Sequence, residues 1–240
     1  MTSCSLGPRC GAARAPAPSP PEPALATNVA QILRQPALAH PERVAVVVPG
    51  VDAAAPRREL GYGALDLGAR RVAAHLSPGA RVALMAANGE GFIAGWFGAV
   101  YAGATVVPIP IDAAAPEVVA RLEHAGCAAL LVDPERLPLA RAAAAAGTRE
   151  VAVLDVDALA ADGGRAVTAP ASTRPDDPAM ILYTSGTTGR AKGAVISHVS
   201  LLLHTALLVH HILALGGDDR VLGALPLTHS YGCPQPLSEV

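Results

Sequence analysis

The segment with the clearest chemical potential spans residues 183–193 and reads Tyr-Thr-Ser-Gly-Thr-Thr-Gly-Arg-Ala-Lys-Gly. It combines Ser and Thr hydroxyls, glycines and a lysine between two apolar runs, residues 179–182 and 194–196. Glycines let a backbone approach an anion closely, and successive N–H groups in such a turn form an anion-binding concavity. Lys192 adds a compact positive charge. The pattern predicts a strand–loop–strand element whose tip holds phosphate oxygens.

Other interpretations of this segment are open at the level of composition, since a Gly/Ser/Thr cluster between strands is also typical of a polar surface loop. Two common phosphate motifs do not fit. A Walker A motif needs a lysine directly after its second glycine, whereas Gly189 is followed by Arg190. A dinucleotide motif starting at Gly61 and Gly63 would need a glycine where the chain has Asp66. The sequence therefore supports neither a P-loop NTPase nor a Rossmann cofactor site.

The order of residues in 183–193 resembles, almost residue for residue, the phosphate-binding signature of the adenylate-forming superfamily. That family comprises acyl- and aryl-CoA synthetases, adenylation domains of peptide synthetases, and luciferases. Ala191 stands where the family usually has proline. The resemblance implies an α/β fold with layered sheets flanked by helices. It would be the N-terminal portion of the adenylate-forming fold, and this portion would be incomplete. Further segments that resemble family motifs, in the family's order, are Leu60–Leu65, Gly98–Pro108 and Leu225–Gly232.

The resemblance implies ATP-dependent activation of a carboxylic acid as an acyl-adenylate, with transfer of the acyl group to CoA. ATP and the acid would be substrates, Mg²⁺ the metal, and CoA or a carrier-protein thiol the acceptor. It makes Thr184, Lys192 and His229 the catalytic residues, with Thr184 also nearest the Mg²⁺-bound phosphates and His229 lining the acyl pocket. The residues implied to cradle the β- and γ-phosphates are Thr184, Ser185, Gly186, Thr187, Thr188, Gly189 and Lys192.

The segment around His229 also bears on the subtype within the resembled family. Peptide-synthetase adenylation domains usually carry a Phe-Asp-x-Ser-like sequence here, so the His-Ser-Tyr-Gly run from His229 favours a CoA ligase. Two alternatives stay open: a non-catalytic, degenerate AMP-binding module, and an adenylation or loading domain of a peptide or polyketide synthetase.

The chain divides into three predicted parts. Residues 1–24 form a disordered Pro/Ala-rich leader, residues 25–232 a partial AMP-binding domain with a linker near 157–177, and residues 233–240 a tail that no longer resembles the family. The family's later motifs and its C-terminal domain with a catalytic lysine are absent from this sequence. We therefore expect a fragment or split-gene product whose 240 residues alone do not complete adenylation.

The elements that must position these residues follow from hydrophobic periodicity. Short apolar runs alternate with helical patterns, which predicts βαβ units and a parallel sheet. The expected strands are 44–48 (buried), 81–85, 105–109, 128–132, 151–154, 179–182, 194–197 and 220–224. The expected helices begin near Val29 and Ala64 and cover 91–101, 118–122, 140–146 and 199–214.

Composition excludes several functional classes. With a net charge of −2 and 3% aromatic residues, the chain lacks the basic patches and stacking platforms of nucleic-acid-binding proteins. The charge-free windows 91–111 and 193–217 are long enough to cross a membrane. The first window contains internal Gly and Pro residues, and the second is divided at His198. Neither window is therefore predicted to form a membrane-spanning helix. We expect a cytoplasmic protein.

Cysteine and histidine spacing argues against a metal site or a disulfide framework. Cys4, Cys10, Cys127 and Cys233 show no Cys-x-x-Cys spacing, so we expect small core side chains in a reducing compartment. His204 and His211 share a helix face but lie roughly 10 Å apart along the axis, too far for one metal ion. Together with His198 and His210 they are expected to be packing or surface residues.

Overall fold

The computed structural model describes residues 28–50, 56–184 and 192–228, with Thr184 described by its backbone alone. The strands in these ranges are β1 (Val44–Val48), β2 (Arg58–Gly61), β3 (Arg81–Met85), β4 (Thr105–Pro108), β5 (Ala129–Val132), β6 (Ala152–Asp155), β7 (Pro178–Thr184) and β8 (Lys192–Ser197). The α-helices are α1 (Gln31–Ala39), α2 (Tyr62–Ala73), α3 (Glu90–Tyr101), α4 (Ala115–Ala125), α5 (Leu137–Ala146), α6 (Val156–Ala161) and α7 (His198–Leu207). A 3₁₀ turn covers Pro134–Arg136, and a π-helical turn, Leu208–Ile212, continues α7.

The main sheet has six strands in the order β6-β5-β3-β4-β7-β8. Neighbours from β6 to β7 are parallel, and β8 is antiparallel to β7. After β3 the chain adds β4 on one side, then returns to place β5 on the other side of β3. The direction in which strands are added therefore reverses between β3 and β5. The prediction of an α/β fold with layered sheets and flanking helices is confirmed.

Helix α3 forms the centre of one face of the sheet. Every residue from Gly91 to Tyr101 is buried, as the almost uncharged sequence of this segment requires. Helix α2 crosses α3 at very short range: a Cβ added to Gly98 would lie 2.7 Å from the Cβ of Val72 and 2.9 Å from the Ala69 carbonyl oxygen. Glycine at position 98 is therefore what allows the two helices to touch.

The opposite face of the sheet is covered by α4 and α5. Its core includes Val118, Leu122, Ala140 and Cys127, all nearly or fully buried. Burial raises the pKa of the Cys127 thiol to about 12, so the thiol stays protonated at physiological pH. Cys127 is a small core side chain, as expected from the cysteine spacing.

Two strand predictions need correction, and one strand was missed. The strand at 44–48 exists but is half exposed, because it pairs with β2 in a separate two-stranded sheet and only Ala45 and Val46 pack against the main core. Strand β2 itself was missed, since its Arg58-Glu59-Leu60-Gly61 sequence has little apolar character. The predicted strand at 220–224 is wrong: this stretch has no neighbouring strand and Leu222 is 89% exposed.

The segment predicted as a linker, 157–177, starts inside α6 and returns to the main body of the chain. Val167 N–H donates to the Arg70 carbonyl oxygen (3.1 Å), and Ala171 N–H donates to the Tyr101 carbonyl oxygen (2.7 Å). The division into domains stays a prediction, and the predicted leader, 1–24, and tail, 233–240, lie outside the described residues. In the ranges that the structure covers, no helix has the length and apolar character needed to cross a bilayer.

Candidate active site at the carboxyl edge of the sheet

Strands β7 and β8 form the predicted strand–loop–strand element. In their register Thr184 lies opposite Lys192, and Tyr183 lies opposite Gly193. Directly opposed residues of an antiparallel pair have Cβ atoms roughly 5 Å apart. Two of the three predicted catalytic residues are thus register partners where the chain enters and leaves segment 185–191. The remaining predicted phosphate-binding residues, Ser185, Gly186, Thr187, Thr188 and Gly189, lie outside the described residues.

Strand β7 carries this hairpin because its sequence demands burial. Ala179 and Met180 are fully buried between β4 and β8. Met180 pairs with Val106 of β4, and the Thr105 hydroxyl donates to the Pro178 carbonyl oxygen at 3.0 Å. The hairpin is therefore fixed to the centre of the sheet at the end opposite to its loop.

Tyr183 fixes the other end of β7, next to the loop. Its hydroxyl lies 2.6 Å from His124 Nδ1, and the Arg121 guanidinium carbon lies 5.8 Å from the centre of its ring. A Cβ on Gly193 would come within 3.3 Å of the ring. Burial raises the pKa of Tyr183, so the phenol remains neutral near pH 7. Helix α4 therefore holds the strand end from which the loop departs.

The carboxyl ends of β3, β4 and β7 all lie at the edge where the loop starts, since these strands are parallel. In open α/β sheets, ligands bind outside the carboxyl ends of the strands, where the strand order reverses. Here that position is the gap between β3 and β5, directly beside the end of β3. The hairpin follows beside β4, so the Thr184–Lys192 pair lies at the same edge of the sheet, two strand spacings from β3.

The segment leading to His229 reaches the same edge through Asn88, the third residue after β3. The Asn88 amide nitrogen donates to the Leu225 carbonyl oxygen at 2.8 Å, and Leu227 N–H donates to Asn88 Oδ1 at 2.9 Å. Since β3 and β7 are two strand spacings apart, the two segments lie roughly 10 Å apart across the sheet. The predicted catalytic His229 follows Thr228 and lies outside the described residues.

A cavity of about 190 Å³ adjoins Asn88. The end of β1, Ile93 of α3 and the buried Leu227 line it, and both apolar and polar atoms contribute to its walls. Asn88 thus forms part of the wall of a cavity at the carboxyl edge of the sheet. The sequence did not predict Asn88 as a site residue, because its hydrogen-bond partners are 137 and 139 residues away. The sequence feature that points to it is its position directly after a buried strand.

A second cavity of about 190 Å³ lies between α2, α3 and α6, and its charged groups differ in sign from those of the candidate site. There, burial raises the pKa of Asp157, and the neighbouring carboxylates of Asp155, Asp133 and Glu90 raise it further. Such a cavity disfavours phosphate. Lys192, by contrast, is exposed and forms no ion pair with any residue that the structure describes.

His198 is the histidine that the fold uses for packing. It is 1% exposed, and its Nδ1 accepts a hydrogen bond from Val29 N–H at 3.1 Å. Burial lowers the pKa of His198, which keeps the ring neutral as this acceptor role requires. His204, His210 and His211 are exposed, as expected. In the described ranges, no group of three or more His, Cys, Asp or Glu side chains could hold a metal ion.

Comparison with known proteins identifies what the chain is similar to. The model of the AMP-binding enzyme family matches residues 33–237. A feruloyl-CoA synthase from Amycolatopsis sp. is 35% identical over 159 residues, covering 66% of this chain and 31% of the relative. The long-chain-fatty-acid–CoA ligase FadD13 of Mycobacterium tuberculosis is 31% identical over 217 residues, covering 84% of this chain and 41% of the relative.

Solved structures agree with these sequence relatives. The inhibitor-bound N-terminal domain of FACL13 from Mycobacterium tuberculosis superposes with a TM-score of 0.75 at 27% identity. The match covers 88% of this chain and 55% of that chain. The chain therefore spans well under half the length of the two curated relatives described above and has the fold of part of an N-terminal domain.

Proposed function

This chain belongs to the AMP-binding enzyme family, and we infer its function from that membership. We propose that it is the N-terminal part of an ATP-dependent ligase that converts a carboxylic acid into an acyl-adenylate and transfers the acyl group to CoA. One observation carries the proposal. Thr184 and Lys192 lie opposite each other in the β7–β8 register at the carboxyl edge of the sheet, and Asn88 holds the segment leading to His229 at the same edge.

The proposed first step is a displacement at phosphorus. A carboxylate oxygen attacks the α-phosphorus of ATP and forms a P–O bond. The bond between that phosphorus and the oxygen bridging to the β-phosphate breaks, and its electron pair leaves with pyrophosphate. Because an anion attacks a polyanion, catalysis depends on positioning and on positive charge near the phosphates.

The residues described above fit these demands. Lys192 provides a cation that forms no ion pair with any described residue, and the N–H groups and hydroxyls of residues 184–189 would bind the β- and γ-phosphates. His229 would lie near the carboxylate and the α-phosphate. These assignments are proposals that rest on the order of residues in 183–193 and 225–232.

Mg²⁺ fits this site as an ion brought by the substrate. The described residues offer no cluster of carboxylates that could form a protein cage for it. Mg²⁺ usually keeps waters and binds through substrate phosphates with one or two protein oxygens. The Thr184 hydroxyl is the proposed protein oxygen, and the ion would neutralise phosphate charge.

The same proposal covers the acyl acceptor and how much of the reaction the 240 residues carry out on their own. We propose CoA, with a carrier-protein thiol as the alternative to be tested, in a cytoplasmic enzyme. Since the chain covers 31% and 41% of the two relatives, we expect the 240 residues to bind ATP without completing turnover. A pyrophosphate-exchange assay that shows turnover by the isolated chain would contradict this expectation.

A direct test uses a peculiarity of the sequence: Lys192 is the only lysine in the chain. Reductive ¹³C-methylation therefore labels one side chain besides the N-terminus and preserves its charge. We expect the Lys192 methyl resonance to shift in a saturable way on titration with Mg²⁺–ATP. Replacement Lys192→Met should weaken ATP binding about 10–100-fold, the worth of a charge-assisted hydrogen bond.

Matched variants separate charge from shape in this test. Lys192→Arg keeps the cation and should bind ATP within a few-fold of the unmodified chain, whereas Lys192→Met keeps similar bulk without charge. Adenosine, which lacks phosphates, should leave the methyl resonance unmoved. Equal ATP affinity for the Met and Arg variants, measured by calorimetry, would overturn the role of Lys192.

A further inference from the structure

Asn88 uses both ends of its side-chain amide on one short stretch of backbone. The amide nitrogen donates to Leu225 O, and the amide oxygen accepts from Leu227 N–H. In a parallel β-ladder, one residue likewise bonds to the C=O and the N–H on either side of its partner. The Asn88 side chain thus replaces a strand residue opposite Pro226, which has no N–H of its own.

This geometry restricts the side chains that could do the same. A planar carboxamide offers a donor and an acceptor side by side. Aspartate offers two acceptors and would repel the Leu225 carbonyl oxygen, while leucine offers neither. The arrangement therefore depends on the amide group and not only on the size of the side chain.

Among the described residues, the Asn88 side chain forms hydrogen bonds to Leu225 and Leu227 alone. It precedes helix α3, whose N-cap is Gly89, and no side chain caps this helix. The turn that carries Asn88 is fixed from behind, because Ala87 N–H donates to Asp133 Oδ2 at 3.0 Å. On the far side, Leu227 is buried to 4% exposure against the core. A rigid turn therefore holds the backbone two residues before His229.

We propose that Asn88 is a positioning residue that sets the 225–228 backbone, and with it the approach of His229, at the carboxyl edge of the sheet. The proposal rests on the proposed function for the role of His229. It goes beyond that function because it gives a role to Asn88, which is far from this segment in the sequence. In this role, Asn88 places the acid-binding segment relative to the phosphate loop.

The first experiment measures the Leu227 amide directly by hydrogen exchange and NMR in the 240-residue chain. Asn88→Leu removes the acceptor, and we expect the exchange of the Leu227 amide to accelerate about 5–10-fold, as for the loss of one neutral hydrogen bond. Asn88→Asp keeps an acceptor, so this amide should stay protected. Glu90→Gln changes the same turn without touching 225–227 and serves as the control.

The second experiment tests positioning by comparing two ligands. In Asn88→Leu, the affinity for Mg²⁺–ATP, read from the labelled Lys192, should stay within about twofold. The affinity for a non-hydrolysable acyl-adenylate analogue, an acyl-sulfamoyl adenosine, should fall about tenfold. A general loss of structure would weaken both ligands, so this difference separates positioning from folding.

The outcomes are distinguishable. Unchanged Leu227 exchange in Asn88→Leu overturns the proposal, as does an equal loss of affinity for both ligands. If the unmodified chain binds neither ligand, the proposed function fails and the positioning role fails with it, whatever the exchange result. Accelerated exchange together with a selective loss of the acyl-adenylate analogue supports it.

Discussion

Two regions of the molecule differ sharply in how they are held together. The inner region, residues 56–184, buries almost all of α3 between α2 and the sheet. The outer region, residues 192–228, leaves large apolar side chains in solvent, with Leu203 at 66%, Ile212 at 64% and Leu222 at 89% exposure. The outer region is joined to the rest by the β7–β8 ladder, by the buried side chains of Leu201, Leu208 and Leu227, and by a few side-chain hydrogen bonds.

At the candidate site the polar contacts are single side-chain hydrogen bonds. Asn88 bonds to the backbone around Pro226 in the outer region, and within the inner region Tyr183 contacts His124 at the root of the hairpin. The inner region therefore supplies a rigid frame through burial. The groups proposed to meet ATP and the acid are positioned by individual hydrogen bonds, which makes them sensitive to single substitutions.

The largest expected effect comes from removing bulk in the inner region. Phe97 is fully buried in α3, and Phe97→Ala should lower the free energy of unfolding by about 3–5 kcal/mol. Leu203→Ala, on the exposed face of α7, should change it by less than about 0.5 kcal/mol. Urea denaturation of both variants measures the difference. Similar losses would show that the two regions are packed alike.

Adding bulk in the inner region should have the next largest effect. Gly98→Ala places a methyl group 2.7 Å from Val72 and 2.9 Å from the Ala69 carbonyl oxygen, and the backbone atom cannot move aside. We expect a loss of about 1–3 kcal/mol in the free energy of unfolding. Gly163→Ala, in open space, is the matched control and should be nearly neutral. Equal values for both would contradict a tight α2–α3 contact.

The contact between α1 and α7 should depend on pH. Because burial lowers the pKa of His198, the unfolded chain binds a proton more readily than the folded chain. The stabilising contribution of His198 is therefore present above its unfolded pKa, near 6.5, and is lost as the pH falls below it. For one proton the loss reaches at most about 1.4 kcal/mol per pH unit.

A matched variant isolates this effect from the other histidines. In His198→Asn, an amide oxygen can replace Nδ1 as the acceptor for Val29 N–H but does not titrate. The variant should be less stable than the unmodified chain at pH 7.5, with a shallower loss of stability between pH 7 and 5. Parallel stability curves over this range would show that His198 is not the titrating group.

The smallest expected effect concerns the root of the hairpin. Tyr183→Phe removes the hydroxyl that meets His124 and retains the ring beneath Arg121. We expect a loss of about 0.5–1 kcal/mol in the free energy of unfolding and a measurable weakening of Mg²⁺–ATP binding. His124→Phe should give a similar change. An effect of either variant on global stability without any effect on ATP affinity would separate this contact from the site.

The inner region was well predicted from sequence because burial on both faces leaves a strong pattern. The predicted strand at 81–85 matches β3, and the predicted helix at 91–101 differs from α3 by one residue. The pattern fails where burial is partial. Strand β2 has too few apolar residues to stand out, and 220–224 is apolar without being a strand because no partner lies beside it.

The hairpin of the candidate site was predicted because its residues are consecutive. The hairpin follows from 179–197 alone, and the opposition of Thr184 and Lys192 is a consequence of its register. The bonds from Asn88 to the backbone around Pro226, and from Tyr183 to His124, join residues 59 to 139 positions apart. Only the tertiary arrangement of the strands brings such pairs together, and the sequence indicates at most that Asn88 follows a buried strand, not which residues it bonds to.

The position of β4 also has a consequence for synthesis of the chain. Its partner β7 begins at Pro178, about 70 residues after β4 ends, so the edge of β4 stays unpaired for roughly 4–14 seconds at ordinary translation rates. An open, apolar edge is a template for misassembly with another nascent chain. Strand β4 is short and ends in Pro108, which cannot donate to a foreign strand. The strand at the centre of the candidate site is thus protected until its own partner has been made.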